Sequence, residues 1–461
     1  MRLEEIRNVY FLGIGGIGMS ALARWFVKGG VRVSGYDLTK TPLTDALEEE
    51  GMRVSFEDNP DSLPEEFRAF REDSLVVYTP AIPAGHKEFG YLKSVGYEPK
   101  KRSEVLGIIT SGTFTVGVSG THGKTTTSSM LAHLLDVGQK DCSAFLGGIA
   151  TNFNSNLLLR GNVTDGLAVV EADEFDRSFL RLSPDQAVVT SVEPDHLDIY
   201  GEADSVFESF AEFIAKVPEN GIVWASEKVP EFVLPENKNI EILRYGFGER
   251  ADIRAENLRS TPDGYQVYDF VSPEARIENL KQLVPGRHNV ENMLAAIHVA
   301  LANGVDVGKI KEGVESFLGV KRRFEYVLKT ENVTVIDDYA HHPTEVRAFL
   351  ESVKEIYPGK ELTVVFQPHL YTRTRDFFAG FAESLSLSDN LLLLDIYPAR
   401  ELPIEGVDSK LILDKVTCEN KRLISKENAL EFIRENKPGL LVTVGAGDVY
   451  QLLDPIKEIY R

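Results

Sequence analysis

"GVSGTHGKTTTSSM", Gly117 to Met130, is the stretch on which the reading of the chain turns. The common phosphate loop, Gly-x-x-x-x-Gly-Lys-[Ser/Thr], requires glycine at 118. Position 118 is Val, and Gly117 lies one place early. The physical needs of such a loop are nevertheless met. "FTVGV" is a β-rich run that fixes the start, Gly120 and Gly123 let backbone N–H groups turn inward, and "KTTTSSMLAHLLD" is patterned as a helix. That helix would bring its positive end to an anion. Lys124 would neutralise terminal phosphates and the Thr125 hydroxyl would ligate Mg²⁺. A strand–turn–helix junction with a surface lysine is the plain alternative. Gly-x-x-Gly-Lys-Thr between a buried strand and a helix favours phosphate.

A nucleotide polyphosphate needs Mg²⁺, which takes a few carboxylates and water. "VVEADEFDRSF" puts Glu171, Asp173, Glu174 and Asp176 after an apolar run, with Glu171 nearest the strand end and so the best ligand candidate. "SVEPDHLD" repeats the pattern with Glu193, Asp195, His196 and Asp198. Solvated loop charge is the plain reading of either cluster, and a core histidine that of His196. Two clusters at strand ends, both after a phosphate loop, favour metal.

Upstream, "GIGGIG" at 13–18 follows the run "NVYFL", and Asp37 comes 19 residues after Gly18. This is the layout of a dinucleotide site with its acidic residue on a ribose. A UDP-sugar also carries a pyrophosphate and a ribose. The motif therefore fits a nicotinamide-dependent dehydrogenase or a UDP-substrate domain feeding the ATP site.

Composition narrows the class. A chain of 461 residues, 43% hydrophobic, implies about three domains with real cores. Fifty basic against 71 acidic residues give a net charge of −21. That field argues against nucleic acid and anionic lipid as partners. Cys142 and Cys418 fit no ligand spacing or disulfide framework and read as reduced thiols. "VYFLGIGGIGMSALA" mimics an export signal, but the leading "MRLEEIR" is not net positive and glycines break the run. No stretch is long enough to insert in a membrane, and a cytoplasmic protein is expected.

Strands alternating with helical patterns predict an α/β fold of three domains with parallel sheets. Residues 1–106 form a Rossmann-like first block. Residues 107–320 form a central P-loop ATPase-like block, with an irregular stretch near 240–285 that reads as a small antiparallel appendage. Residues 321–461 form a Rossmann-like third block with strand candidates "VTVIDDYA", "LTVVFQPH", "NLLLLDIYP" and "GLLVTVGAGD".

Taken in order, "GTHGKTTT", "EADEFDRSF", "EPDHLD", "GRHNVENMLAAI", "RRFE", "DDYAHHPTEV" and "FQPHLYTRTRDF" resemble the Mur ligase family of peptidoglycan synthesis across essentially the whole chain. The contracted phosphate loop is that family's usual form. Within it, "GIGGIGMSALA" and "DDYAHHPTEV" most resemble the member that adds L-alanine, with the murein tripeptide recycling member as the nearest rival. The resemblance implies that ATP phosphorylates the lactyl carboxylate of UDP-N-acetylmuramate and that the amine of L-alanine attacks the acyl phosphate. It implies ATP contacts at Gly120, Thr121, His122, Gly123, Lys124, Thr125 and Thr126, and metal ligands at Thr125, Glu171 and His196. His288, Asn289 and Asn292 match the helix start that receives adenine, and Arg323 and Asp338 match further nucleotide contacts. Lys124, His196 and Arg323 carry the catalytic roles. Gly15, Ile17, Gly18, Met19, Ser20 and Asp37 match the UDP-binding positions, and Tyr339, His341, His369 and Arg373 the amino-acid pocket. Either a monomer or a homodimer is compatible with this reading.

Overall fold

The computed structural model describes residues 3–83, 85–161, 166–193, 200, 202–235, 239–261, 264–399 and 401–461. The chain divides into two compact units, one formed by residues 1–256, 269–278 and 291–315, the other by 257–268, 279–290 and 316–461.

The first unit begins with a five-stranded sheet. Its strands are β1 (Asn8–Leu12), β2 (Arg32–Tyr36), β3 (Arg53–Ser55), β4 (Ser74–Tyr78) and β5 (Lys100–Lys101), in the order β3-β2-β1-β4-β5. All pairs are parallel. Every residue of β1 is buried, which is the pattern of a strand covered on both faces. Between the strands lie α1 (Ile17–Lys28), α2 (Pro42–Glu49) and α3 (Lys87–Ser94), with α4 (Arg102–Thr110) after β5. Thr41 and Thr44 cap α2 reciprocally and Pro42 opens it. The direction of strand addition reverses at β1, so the crevice outside the carboxyl ends of β1 and β4 is the natural ligand position.

The same unit holds the core of a ten-stranded sheet. In chain order its strands are β6 (Phe114–Ser119), β7 (Cys142–Ala150), β8 (Ser155–Arg160), β9 (Leu167–Glu171), β10 (Gln186–Val189), β11 (Ile222–Ser226), β12 (Glu241–Gly246), β13 (Ile253–Ser260), β14 (Gln266–Val271) and β15 (Arg276–Gln282). The spatial order is β15-β14-β13-β12-β11-β10-β6-β9-β7-β8, and the division between the units falls among β13 to β15. The phosphate-loop strand β6 is central, parallel to β9 on one side and β10 on the other. Its register sets Val118 opposite Glu171, which brings the carboxylate to the end where the loop begins. Helix α5 (Lys124–Val137) follows the loop, and α6 (Ala203–Ile214) packs Phe210 and Phe213 on Phe179. The stretch near 240–285 is not an antiparallel appendage at its start: β12 is parallel to β11, and β13 to β12. β13 is half-buried or exposed beyond its first residue, so it lacks the apolar run that marks a covered parallel strand. Helix α7 (Arg287–Ala302) carries the helix start that holds His288, Asn289 and Asn292, and α8 (Val307–Ser316) follows it.

The second unit contains a six-stranded sheet of β16 (Glu325–Lys329), β17 (Thr334–Asp338), β18 (Leu362–Phe366), β19 (Asn390–Leu393), β20 (Asn420–Leu423) and β21 (Leu440–Val444). Its order is β16-β17-β21-β18-β19-β20, with β16 antiparallel to β17 and the remaining pairs parallel. Helices α9 (Pro343–Ile356) and α10 (Tyr371–Leu385) start from the carboxyl ends of β17 and β18. No helix among the described residues is long and apolar enough to cross a membrane.

Candidate functional site

The loop after β6 is built by its two glycines. Gly120 has φ +136° and Gly123 φ +84°, conformations that L side chains rarely adopt. Space enforces the same choice. A Cβ on Gly120 would lie 2.0 Å from Thr190 Oγ1, and one on Gly123 would lie 2.7 Å from Asn292 Oδ1. Asn292, on α7, therefore sits against the loop. Beneath the turn, the His122 amide donates to Ser191 Oγ (3.0 Å) and the Glu193 amide to Thr121 Oγ1 (3.1 Å). Glu193 also lies 3.6 Å from His122 Nε2.

Lys124 opens α5. Its ammonium donates to the carbonyls of Gly120 (2.7 Å) and Thr121 (3.3 Å) and to Glu174 Oε1 (2.9 Å), with Glu174 Oε2 at 2.7 Å. Burial works against its charge, but the Glu174, Asp173 and Glu171 carboxylates outweigh that and hold Lys124 above the ordinary lysine value. Burial pushes Glu174 up to about 7, with Lys124 pulling it back. Lys124 is therefore charged in a site largely closed to water, where a cation acts most strongly on phosphate.

Thr125 Oγ1 donates to Glu171 Oε1 at 3.0 Å, and the Gly147 amide donates to Glu171 Oε2 at 2.9 Å. Adjacent ligands of octahedral Mg²⁺ are about 2.9 Å apart, given metal–oxygen distances near 2.05 Å. The hydroxyl and the carboxylate thus fit two neighbouring positions around one such ion, with phosphate and water for the rest. Among the described residues, no group of three His, Cys, Asp or Glu is placed to hold a metal ion. His196, Asp195 and Asp198 lie outside the described residues. Sequence reasoning missed Gly147 and the use of Glu174 as the lysine's counter-ion. The paired glycines within "FLGGIA" were the available signal, because glycine inside a strand marks close approach.

In the first sheet the glycine turn closes on Asp37, whose Oδ2 accepts the Gly15 amide at 2.8 Å. A Cβ on Gly15 would meet Thr44 Cγ2 at 2.7 Å, and one on Gly18 would meet Arg102 Nη1 at 2.6 Å. Ile17 is partly exposed, whereas Met19 and Ser20 are buried. Met19 can offer a ligand only its backbone, and the Ser20 amide is already given to the Gly16 carbonyl at 2.8 Å. Arg102 over Gly18 was not singled out from sequence.

In the second unit, Arg322 and Phe324 have φ of +62° and +50°, so Arg323 sits in a turn strained on both sides. Arg322 is a clamp: its guanidinium reaches Asp337 Oδ2 (3.3 Å) and the carbonyls of Gly445 and Gly447, and lies over the rings of Tyr339 and Tyr450. Arg323 stacks on Tyr339 at 5.1 Å. Asp338 accepts the amides of Phe324 (2.7 Å) and Ala340 (2.8 Å), and burial lifts it to about 6 against the pull of Arg323. His341 Nδ1 lies 3.0 Å from the Tyr339 carbonyl, and burial lowers its pKa to about 4. Its ring centroid is 6.1 Å from that of His369, which approaches Arg373 at 3.4 Å and stacks on Tyr397. Leu370, between His369 and α10, has φ +71°. Tyr339, His341, His369 and Arg373 are thus brought together at the carboxyl ends of β17 and β18. Asn289 donates to the Pro285 carbonyl at 2.7 Å, a local helix-start role, and His288 lies against Gly286.

Three family descriptions match consecutive stretches: "Mur ligase family, catalytic domain" over 8–113, "Mur ligase middle domain" over 118–300, and "Mur ligase, glutamate ligase domain" over 322–447. The UDP-N-acetylmuramate–L-alanine ligase of Parabacteroides distasonis is 49% identical over 460 residues, covering 100% of this chain and 98% of that protein. Its namesake from Flavobacterium johnsoniae is 47% identical over 459 residues, covering 100% and 99%. Among solved structures, the UDP-N-acetylmuramate-alanine ligase of Thermotoga maritima superposes with a TM-score of 0.82 at 27% identity, covering 98% of this chain and 99% of that one. A murein peptide ligase of Psychrobacter arcticus shares the fold, with a TM-score of 0.71 at 23% identity and 98% coverage of both chains. Matched in each of its three blocks and at nearly half identity from end to end, the chain belongs to the Mur ligase family, with that family's three-domain, parallel-sheet α/β architecture.

Proposed function

We propose that the chain joins L-alanine to the lactyl carboxylate of UDP-N-acetylmuramate, coupled to cleavage of ATP. The observation that carries this reading is the loop constellation: a charged, enclosed Lys124 beside the Thr125–Glu171 pair. Relatives with this activity in their names match the chain over its full length.

The chemistry follows from leaving groups. A free carboxylate is a poor acyl donor because it would have to expel oxide. Attack of a carboxylate oxygen on the γ-phosphorus of ATP forms the acyl phosphate and releases ADP. Attack of the amine on the carbonyl carbon then forms the amide and expels phosphate. Negative groups crowd together in the first step, and Lys124 with the inward N–H groups of Gly123 to Thr126 offsets them. Thr125 and Glu171 would hold Mg²⁺, which when bound screens the phosphate oxygens. His196 is assigned to a second metal from the resemblance alone. Arg323 and Asp338 are assigned to the nucleotide, and His288, Asn289 and Asn292 to its adenine side.

The N–H groups of Ile17, Gly18 and Met19 at the start of α1 are assigned to the UDP diphosphate, with the turn at Gly15 and Ser20 shaping that site and Asp37 on the ribose. Arg373 pairs the carboxylate of the amino acid, with Tyr339 and His369 lining its pocket. His341 lines the same pocket. The functional blocks 1–106, 107–320 and 321–461 are part of the same proposal, with α4 running across the first seam. So are a cytoplasmic setting and a monomer or homodimer.

Phosphate release measured with UDP-N-acetylmuramate and a panel of amines tests the reading. Release with L-alanine at least about a hundredfold above that with the L-Ala-γ-D-Glu-meso-diaminopimelate tripeptide is expected, since a site built for one ligand leaves groups unpaired with another. The reverse preference would make the chain a recycling ligase, and full-rate hydrolysis with neither amine nor UDP-sugar would exclude both.

A further inference from the structure

Asn156 is fully buried in β8, although nothing in the family motifs or in the proposed reaction uses it. Its amide donates to Ser20 Oγ at 2.9 Å and to the Ile17 carbonyl, both in the first turn of α1. Its Oδ1 accepts from Arg24 Nη1, and Arg24 is in turn held by Glu50 at the end of α2 through Nε (2.8 Å) and Nη2 (2.7 Å). Every polar atom of the Asn156 side chain is thus committed to α1, across a contact between the first and second sheets. The same β7–β8 hairpin supplies the Gly147 amide to Glu171, which accepts the Thr125 hydroxyl. One hairpin therefore grips the helix start beside the glycine turn and the carboxylate beside the phosphate loop.

We propose that Asn156 is a positioning residue for the UDP-substrate. It fixes the first turn of α1 so that the N–H groups of Ile17, Gly18 and Met19 meet the diphosphate in one register, and the hairpin ties that register to the carboxylate at the ATP loop. A buried amide between two acceptors and a guanidinium has one satisfied orientation, so the helix start has one position. The inference rests on the ligase reading, because it needs the diphosphate at α1.

Steady-state kinetics of Asn156→Asp test it. The carboxylate keeps the shape and the Arg24 contact but removes both N–H donors and faces the Ile17 carbonyl. KM for UDP-N-acetylmuramate should rise about tenfold, with KM for ATP and for L-alanine changing less than about twofold. Ser20→Ala removes one acceptor without adding charge and should raise the same KM by about threefold, which covers the case where the first variant does not fold. A purely structural role would lower the yield of folded enzyme and leave this ratio of KM values unchanged. Folded Asn156→Asp, or folded Ser20→Ala if the former cannot be obtained, with an unaltered KM for the UDP-substrate would overturn the proposal. A wild-type chain that does not turn over UDP-N-acetylmuramate would instead defeat the ligase reading itself.

Discussion

His341 shows how burial sets the chemistry of a single side chain. Its ring lies between the Tyr339 carbonyl and Glu345, with Arg373 and Arg323 adding positive charge nearby, and burial is the largest influence on it. Burial thus holds the imidazole pKa down to about 4 in the folded chain, against about 6.5 for a free imidazole. Between those values the unfolded chain binds more protons, so this residue makes stability fall as pH is lowered from about 6.5 toward 4. Replacing it with Asn should remove that loss. Denaturant titrations at pH 7 and pH 4.5 should show the wild type losing about 1–2 kcal/mol more than His341→Asn, after allowance for partial exposure. Equal losses would place the ring in water. At this scale the local motif was legible: Gly120, Gly123, Lys124 and Thr125 fall within six residues, and the turn that the two glycines were expected to make is present. Partners brought by folding were not. Glu174 reaches Lys124 from 50 residues away, and Gly445 accepts from Arg322 across 123. "RRFE" alone cannot tell a surface arginine from a clamp.

Elements place these side chains, and β7 shows how tightly. Its Gly147 passes so close to Glu171 that a Cβ would lie 2.3 Å from Oε2. Gly147→Ala should push the carboxylate away from Thr125 while leaving most of the strand paired. Outer-shell changes of this kind cost about 10–100-fold in metal affinity, so the Mg²⁺ concentration giving half-maximal activity should rise by at least about tenfold. A magnesium titration at saturating substrates reads this directly, and an unchanged midpoint would remove Glu171 from the metal site. Fully buried strands such as "LTVVF" and "LLVTV" were readable as apolar runs because both faces are covered. β20, "NKRL", lies mostly toward solvent at a sheet edge and carries no such signal. Pairing order is likewise invisible in one sequence: nothing local says that β21 inserts between β17 and β18.

Across the whole molecule, three sheets each present polar residues at the carboxyl ends of parallel strands, the position α/β folds reserve for ligands. The first offers a glycine turn closed by Asp37, the second a glycine loop and lysine beside a carboxylate, the third a cluster of His341, His369 and Arg373. A dehydrogenase would use the first alone and leave the other two without work. Three ligand positions are what an acid, a nucleotide and an amine require. In the proposed reaction the lactyl carboxylate becomes the acyl phosphate. UDP-N-acetylmuramate carrying ¹⁸O in that carboxylate, turned over with ATP and L-alanine, tests this most directly by mass analysis of the released phosphate. One ¹⁸O transferred into inorganic phosphate per amide formed is the predicted result. Amide formation with phosphate free of the label would contradict it.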